Sequence, residues 1–164
     1  MKARKKSPPL THVDARGEAR MVDVGDKDRT KRVAVARALV RTAKATTARL
    51  LTGDTPKGDV LATARIAGIS AAKATSTLIP LCHPLSLTKT RVDIEVGDGR
   101  IEVRATCEAF DRTGVEMEAM TAASVAALTL YDMLKAIDRA IAFEVRLEEK
   151  RGGKSGTFLR GGKS

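Results

Sequence analysis

One of the chain's two histidines, His83, lies in Leu78-Ile79-Pro80-Leu81-Cys82-His83-Pro84-Leu85, where prolines bracket a Cys-His pair. Proline fixes φ and stiffens a loop, and an imidazole exchanges protons near neutral pH, so the segment can mount a reacting group. A structural histidine in a proline-rich turn fits the pattern equally well. Zinc does not, because neighbouring residues rarely serve one tetrahedral ion and no second pair has the spacing. A second group is Asp132 and Lys135, which follow Val125 and Leu128 in steps of three and four and so share one helix face. They read either as an acid and a base at a site or as an ordinary ion pair at the wet end of a helix. Glu116 and Glu118 open the same alanine-rich stretch, where carboxylates complement a helix dipole; position alone favours that simpler role. Lys57, in Pro56-Lys57-Gly58-Asp59 ahead of a helix pattern, is an anion-site candidate or a plain turn and cap. Gly152-Gly153-Lys154-Ser155-Gly156 is not a phosphate loop, since Glu148 stands where the first glycine belongs and no strong helix follows. Its amides and lysine can still meet a phosphate.

The elements that must carry these groups read from periodicity. A short extended segment is expected at 18–24. A valine-rich run at 32–42 suits a strand, and a short helix at 43–51 ends at Gly53. Val60, Ala64, Ala67 and Ala71 repeat at helical spacing, predicting a helix from 60 to about 78 that stops at Pro80, with Gly68 as its weak point. Alternation at 88–96 and 100–109, with apolar Val92, Ile94, Val96 and Ile101, Val103, Ala105, Cys107 on one face, predicts a hairpin over Gly97-Asp98-Gly99. A helix over 115–140 and a strand through Phe143, Val145 and Leu147 follow. The order βαββαβ predicts an α+β, ferredoxin-like sandwich: one antiparallel sheet with helices packed on one face.

With 164 residues, 43% of them hydrophobic, the chain suffices for one domain, expected at 11–151 between a basic N-terminal tail at 1–10 and a flexible Gly/Lys-rich C-terminal tail at 152–164. Aromatics make up only 2%, so the core must be built from Ala, Val, Leu, Ile and Met. The formal charge of +10 suggests nucleic acid until it is located. Residues 1–10 and 151–164 hold eight of the 30 basic residues and no acid, leaving 22 against all 20 acidic residues in the body. A polyanion-coating surface is therefore not expected. A small RNA-binding module of the same fold is the competing class, but such modules stack bases on sheet aromatics and 100–109 offers none. Two unpaired cysteines and the lack of a signal-like or membrane-length apolar run point to a reduced, cytoplasmic setting.

Six stretches taken together resemble the cyclic pyranopterin monophosphate synthases, the molybdenum cofactor biosynthesis protein C family. They are Leu10-Thr11-His12-Val13-Asp14, Met21-Val22-Asp23-Val24, Lys57-Gly58-Asp59 with the ten residues after it, the loop at 78–85, Thr113-Gly114-Val115-Glu116-Met117-Glu118-Ala119 and Leu130-Tyr131-Asp132-Met133-Leu134-Lys135-Ala136. Leu134 departs from a cysteine often found there. The resemblance implies a ferredoxin-like subunit in a hexamer of three dimers, with sites at dimer interfaces. It also implies a lyase that turns (8S)-3′,8-cyclo-7,8-dihydroguanosine 5′-triphosphate into cyclic pyranopterin monophosphate and diphosphate. It places Asp132 and Lys135 at catalytic positions. Leu81, Cys82, His83, Met117 and Glu118 fall at substrate-binding positions, and Lys57, Glu116 and Lys150 at further polar positions of the pocket. Lys57 and Lys150 are expected to hold the triphosphate. No resident metal or cofactor is expected, though Mg²⁺ can accompany the triphosphate, and neither a specific nucleic acid nor a membrane is an expected partner.

Overall fold

A computed structural model describes residues 16–161. The expected tail at 1–10, the motif at 10–14 and residues 162–164 lie outside the described residues. In the segment expected to be extended at 18–24, only Ala19 is in bridge pairing. The first strand, β1, is Thr30–Arg41. It leads into helix α1, Lys44–Thr52, which Gly53 closes at φ 73°. The Asp59 side chain caps α2, Val60–Lys73, accepting from the amide of Ala62 at 2.9 Å.

The single helix expected over 60–78 is two: α2 stops at Lys73, and a separate turn, α3, Thr75–Leu78, follows. The buried Thr75 hydroxyl donates back to the carbonyls of Ala71 and Ala72, and such local bonding competes with helix continuation. Strands β2, Leu87–Gly97, and β3, Arg100–Asp111, pair as a hairpin with Gly97 opposite Arg100. Helix α4, Glu116–Leu134, ends earlier than the expected 140. The Asp138 carboxylate is drawn away to accept from Thr42 Oγ1 at 2.6 Å and the amide of Ala43 at 2.9 Å, at the start of α1. Strand β4, Ala142–Arg151, is longer than expected, and a two-residue strand β5, Phe158–Leu159, pairs with it inside the segment expected as a free tail.

The sheet is antiparallel throughout, ordered β2-β3-β1-β4-β5. Its first four strands give the ferredoxin-like order, with β5 added at one edge. One face buries Ala34, Ala36, Ala38 and Val40 of β1 and Ile101, Val103, Ala105 and Cys107 of β3 against α4. Small side chains bring backbones close, and Gly68 shows how close. A Cβ there would meet the Ala122 carbonyl at 2.9 Å and Val92 at 3.2 Å, so α2 can lie on α4 and β2 only with hydrogen at that position. The other face carries Arg37 bonded to Glu102, Arg91 to Asp93 and Lys89 to Glu108. Because β3 runs to Asp111, an exposed Phe110 stands at its end, a lone ring rather than a stacking platform. No helix among the described residues is long and apolar enough to cross a membrane.

Candidate active site

Two groups of candidate residues form at opposite ends of α4. At the C-terminal end, Lys57 reaches across from the turn before α2. Its Nζ donates to the Asp132 carbonyl at 2.9 Å and to Oδ2 at 2.8 Å, while Lys135 Nζ stands 2.7 Å from Oδ1. The turn is fixed locally, because Thr55 Oγ1 donates to the Gly58 carbonyl at 2.7 Å and Asp59 caps the helix. Asp132 and Lys135 are therefore not merely an i,i+3 pair: a third group from another element completes the cluster. The Lys135 hydrogen bond, followed by that from Lys57, pulls the Asp132 carboxyl down to about 2, and Asp132 in turn raises Lys135. At neutral pH the cluster holds one carboxylate between two ammonium groups. All three side chains remain partly exposed.

At the N-terminal end, the loop expected to present Cys82 and His83 does so, turning through a hydrogen bond from the Cys82 amide to the Ile79 carbonyl at 3.1 Å. Leu81, Cys82, His83, Glu116 and Met117 line a cavity of about 370 Å³ together with Val22, Val24 and Lys27. Glu118 lies beneath it, only 3% exposed. The Cys82 thiol donates to Glu118 Oε1 at 3.8 Å, and Oε2 has no partner. Burial, then the charge of Glu116, raises the Glu118 carboxyl; burial first, then Glu118, raises the Cys82 thiol. The thiol is thus a protonated donor at neutral pH, not a nucleophile. Glu116 does sit in the first turn of α4 as a dipole partner does, but its carboxylate also folds over Gly114, where a side chain would collide with it.

Next to this cavity, and sharing Lys27, Thr113, Gly114 and Glu116 with it, is a larger one of about 590 Å³. Lys150 lines it, as do Thr30, Arg32, Arg112 and Lys154. Sequence reasoning singled out Lys150, Glu116 and the Gly-Gly-Lys-Ser segment but missed Lys27, Thr30, Arg32 and Arg112, which sit on plain strand ends and turns. Thr113 and Gly114 were visible within a family stretch without an assigned role. Among the described residues no three His, Cys, Asp or Glu side chains cluster as metal ligands.

Glu116 and Asp132 are 16 residues apart on one helix, roughly 24 Å at 1.5 Å per residue. The structure therefore joins Lys57, Asp132 and Lys135, separately joins Leu81, Cys82, His83, Glu116, Met117, Glu118 and Lys150, and does not bring the two sets together within one chain.

Residues 21–153 match the MoaC family. A protein of Roseiflexus sp. (strain RS-1) named cyclic pyranopterin monophosphate synthase is 59% identical over 153 residues, covering 92% of this chain and 97% of its own. Cyclic pyranopterin monophosphate synthase 2 of Mycobacterium tuberculosis (strain ATCC 25618 / H37Rv) is 56% identical over 156 residues, covering 94% and 93%. The protein of that name without the numeral in Thermomicrobium roseum is 56% identical over 154 residues, covering 92% and 93%. With the match spanning the first four strands, α4 and both groups of candidate residues, this chain belongs to the MoaC family.

Proposed function

We propose that the chain is a lyase of molybdenum cofactor biosynthesis that converts (8S)-3′,8-cyclo-7,8-dihydroguanosine 5′-triphosphate into cyclic pyranopterin monophosphate with release of diphosphate. The observation that carries this reading is identity of 56–59%, over nearly the whole chain, to relatives named for the product. The active site is composite. The cavities at the N-terminal end of α4 in one copy receive the Lys57, Asp132 and Lys135 cluster of a second copy, since neither half alone holds both the pocket and the acid–base pair. Leu128, one turn before Asp132, is 56% exposed, as befits a face that another copy covers. The assembly is a hexamer of three such dimers, working in the cytoplasm.

The residues suit the chemistry. Opening the purine-derived ring and closing a pyran move protons at several atoms, and expelling diphosphate needs cations where charge develops. Asp132, held ionised between two ammonium groups, accepts a proton or orients Lys135. Lys135, its pKa raised, remains a proton donor for a departing oxygen. Cys82 and His83 with Glu118 bind and orient the ring portion, and a divalent ion enters only as company for the triphosphate.

A mixing experiment tests the reading. Asp132→Asn and His83→Ala proteins, each inactive alone in diphosphate release, are dissociated and reassembled together. If each site takes one residue from each copy, random pairing leaves about a quarter of the sites with neither lesion, and activity returns to about that fraction. No recovery, in a mixture shown to contain hybrid assemblies, would place both residues in one chain's site. Wild-type protein that releases no diphosphate from the cyclised substrate would overturn the reaction itself.

A further inference from the structure

The acid–base cluster at the C-terminal end of α4 takes its two cations from outside the regular helices. Lys135 stands one residue beyond Leu134, the last residue of α4, and Lys57 lies in the turn between α1 and α2. Lys135 is held by the turn that follows it. Its amide donates to the Tyr131 carbonyl, and the amides of Ile137 and Asp138 both donate to the Leu134 carbonyl. Buried Leu134 and Ile141 bracket this turn, and Ile137 between them packs partly on the core. A helix end keeps its shape where its last groups find partners, and Asp138 supplies them here.

Both carboxylate oxygens of Asp138 are engaged. Oδ1 accepts from the amide of Ala140 at 2.9 Å, and Oδ2 accepts from Thr42 Oγ1 at 2.6 Å, the Ala43 amide at 2.9 Å and Thr46 Oγ1 at 3.3 Å. The last three donors all belong to the N-terminal end of α1, a helix whose own N-cap, Ala43, makes no side-chain cap and whose first turn holds no acid. Asp138 thus caps α1 from a distant part of the chain. The Ala43 amide, then Thr42, keeps its carboxyl below the usual range, so it is ionised at neutral pH.

Helix α1 is a firm support for this contact. The Thr42 amide donates to the Gly99 carbonyl at 3.0 Å, the Gly99 amide donates to buried Thr47 Oγ1 at 3.2 Å, and Lys44 pairs with Asp98. The tip of the β2–β3 hairpin therefore fixes the start of α1 to the sheet. The far end of α1, closed by Gly53 and by Arg49 bonded to Asp54, feeds the turn that carries Lys57. One carboxylate joins the turn after Lys135 to the helix before Lys57, and these are the two cations on either side of Asp132.

We infer that Asp138 is a positioning residue for the acid–base cluster: by holding Thr42 and the Ala43 amide, it sets where Lys135 and Lys57 stand about Asp132. The inference rests on the proposed reaction, in which that cluster moves protons. None of the Asp138 hydrogen bonds is to a member of the cluster, so it acts by placing the chain rather than by touching the reacting groups.

Steady-state diphosphate release and side-chain ¹⁵N NMR of the lysine ammonium groups, on the wild-type assembly and on variants, test this. Asp138→Ala removes the acceptor, Asp138→Asn keeps an acceptor oxygen without the charge, and Thr42→Val removes the shortest donor. Ile69→Ala, which takes partly buried volume from the far end of α2, is the control for a loss of stability alone. At a temperature where every variant is folded, Asp138→Ala should lower kcat about 10-fold or more with little change in KM, since small displacements of catalytic groups cost that much. Thr42→Val should show a smaller loss in the same direction, and the double variant should lose no more than Asp138→Ala alone. Asp138→Asn should keep most of the activity, and Ile69→Ala should keep the wild-type kcat. The Lys57 and Lys135 ammonium signals, assigned by replacing each lysine with arginine, should move in Asp138→Ala and stay in Ile69→Ala. Should Asp138→Ala fail to assemble, Thr42→Val carries the same test. Wild-type kcat in folded Asp138→Ala, an equal loss in Ile69→Ala, or Asp138→Asn as impaired as Asp138→Ala would overturn the inference. Lysine signals that depend on Asp138, in a wild-type protein that does not turn over the cyclised nucleotide, would leave the positioning role standing and defeat the proposed reaction.

Discussion

Replacing Glu118 by methionine should make the protein more stable and less active. Glu118 is 3% exposed, its Oε2 has no partner, and its one side-chain hydrogen bond is a long contact from a thiol. Methionine has nearly the same length and no polar atoms, so the change removes an unsatisfied buried carboxylate without opening a cavity. Unsatisfied buried groups cost roughly 1–3 kcal/mol. The carboxyl is not fully shielded from solvent, so a gain of about 1–2 kcal/mol at pH 7 is expected. The pH dependence carries the sharper test. The folded-state pKa of Glu118 is raised above its ordinary value of 4.5, chiefly by burial. The folded state therefore binds the proton more tightly, and the wild type loses stability as pH rises from below 4.5 through the raised value. Denaturant unfolding of both proteins at equal protomer concentration should show the methionine variant ahead at pH 7 and the gap closing below pH 4.5. A variant less stable at pH 7, or a gap that does not change with pH, would mean that the carboxylate is satisfied in the folded assembly. Activity should fall in the same variant, because the group that lowers stability is the one bonded to Cys82 beneath the smaller cavity.

Three further outcomes follow. Asp132→Asn keeps the size and removes the charge between Lys57 and Lys135; turnover should fall by ~10² to 10⁴ with the assembly state unchanged, as read by diphosphate release and light scattering. Gly68→Val forces atoms into the contacts with Ala122 and Val92 and should cost about 1–3 kcal/mol or more in denaturant unfolding. Asp138→Ala removes the oxygen that accepts from Thr42, Ala43 and, at 3.3 Å, Thr46. A loss of about 1 kcal/mol is expected at pH 7; because the amide of Ala43, then Thr42, lowers the Asp138 carboxyl below its usual 3.8, the wild type should lose that advantage as pH falls below about 3.8 through the depressed value.

The strands and helices were legible because their periodicities do not depend on anything outside each element. Val92, Ile94, Ile101 and Val103 alternate, and Ala119, Ala122, Ala123 and Ala126 recur at helical spacing, whatever they pack against. Boundaries failed where a side chain bonded to the backbone or to a distant element. Thr75 turns back onto α2 and splits the expected helix, while Asp138 leaves α4 to hold α1. Neither event leaves a periodic trace. The Cys82-His83 loop was visible because two prolines announce it. Glu118 was harder, since a glutamate in the first turn of a helix is explained well enough by the dipole; only its burial and missing partner set it apart from Glu116.

What the sequence could not convey was the division of the candidate residues between two places. Asp132 and Lys135 share a helix face, and Glu116 and Glu118 begin that same helix, but their spacing alone does not say that the two sets serve different places. A straight helix separates them: its two ends lie too far apart for one substrate to touch both. The composite site proposed above would remove the conflict, and it would also account for an exposed Leu128 beside Asp132 and for an acid–base cluster that lines neither of the two cavities at the other end of α4. The same geometry explains why the cations of the larger cavity escaped notice. Lys27, Arg32 and Arg112 come from a turn, the start of β1 and the end of β3, and antiparallel pairing of Arg32 with Ala109 and of Thr30 with Asp111 is what gathers them. Register is fixed by the buried alanines of β1 and β3, which slip to the wrong face if it moves by one residue. The packing of small apolar side chains on one side of the sheet thereby sets where charge collects at its end.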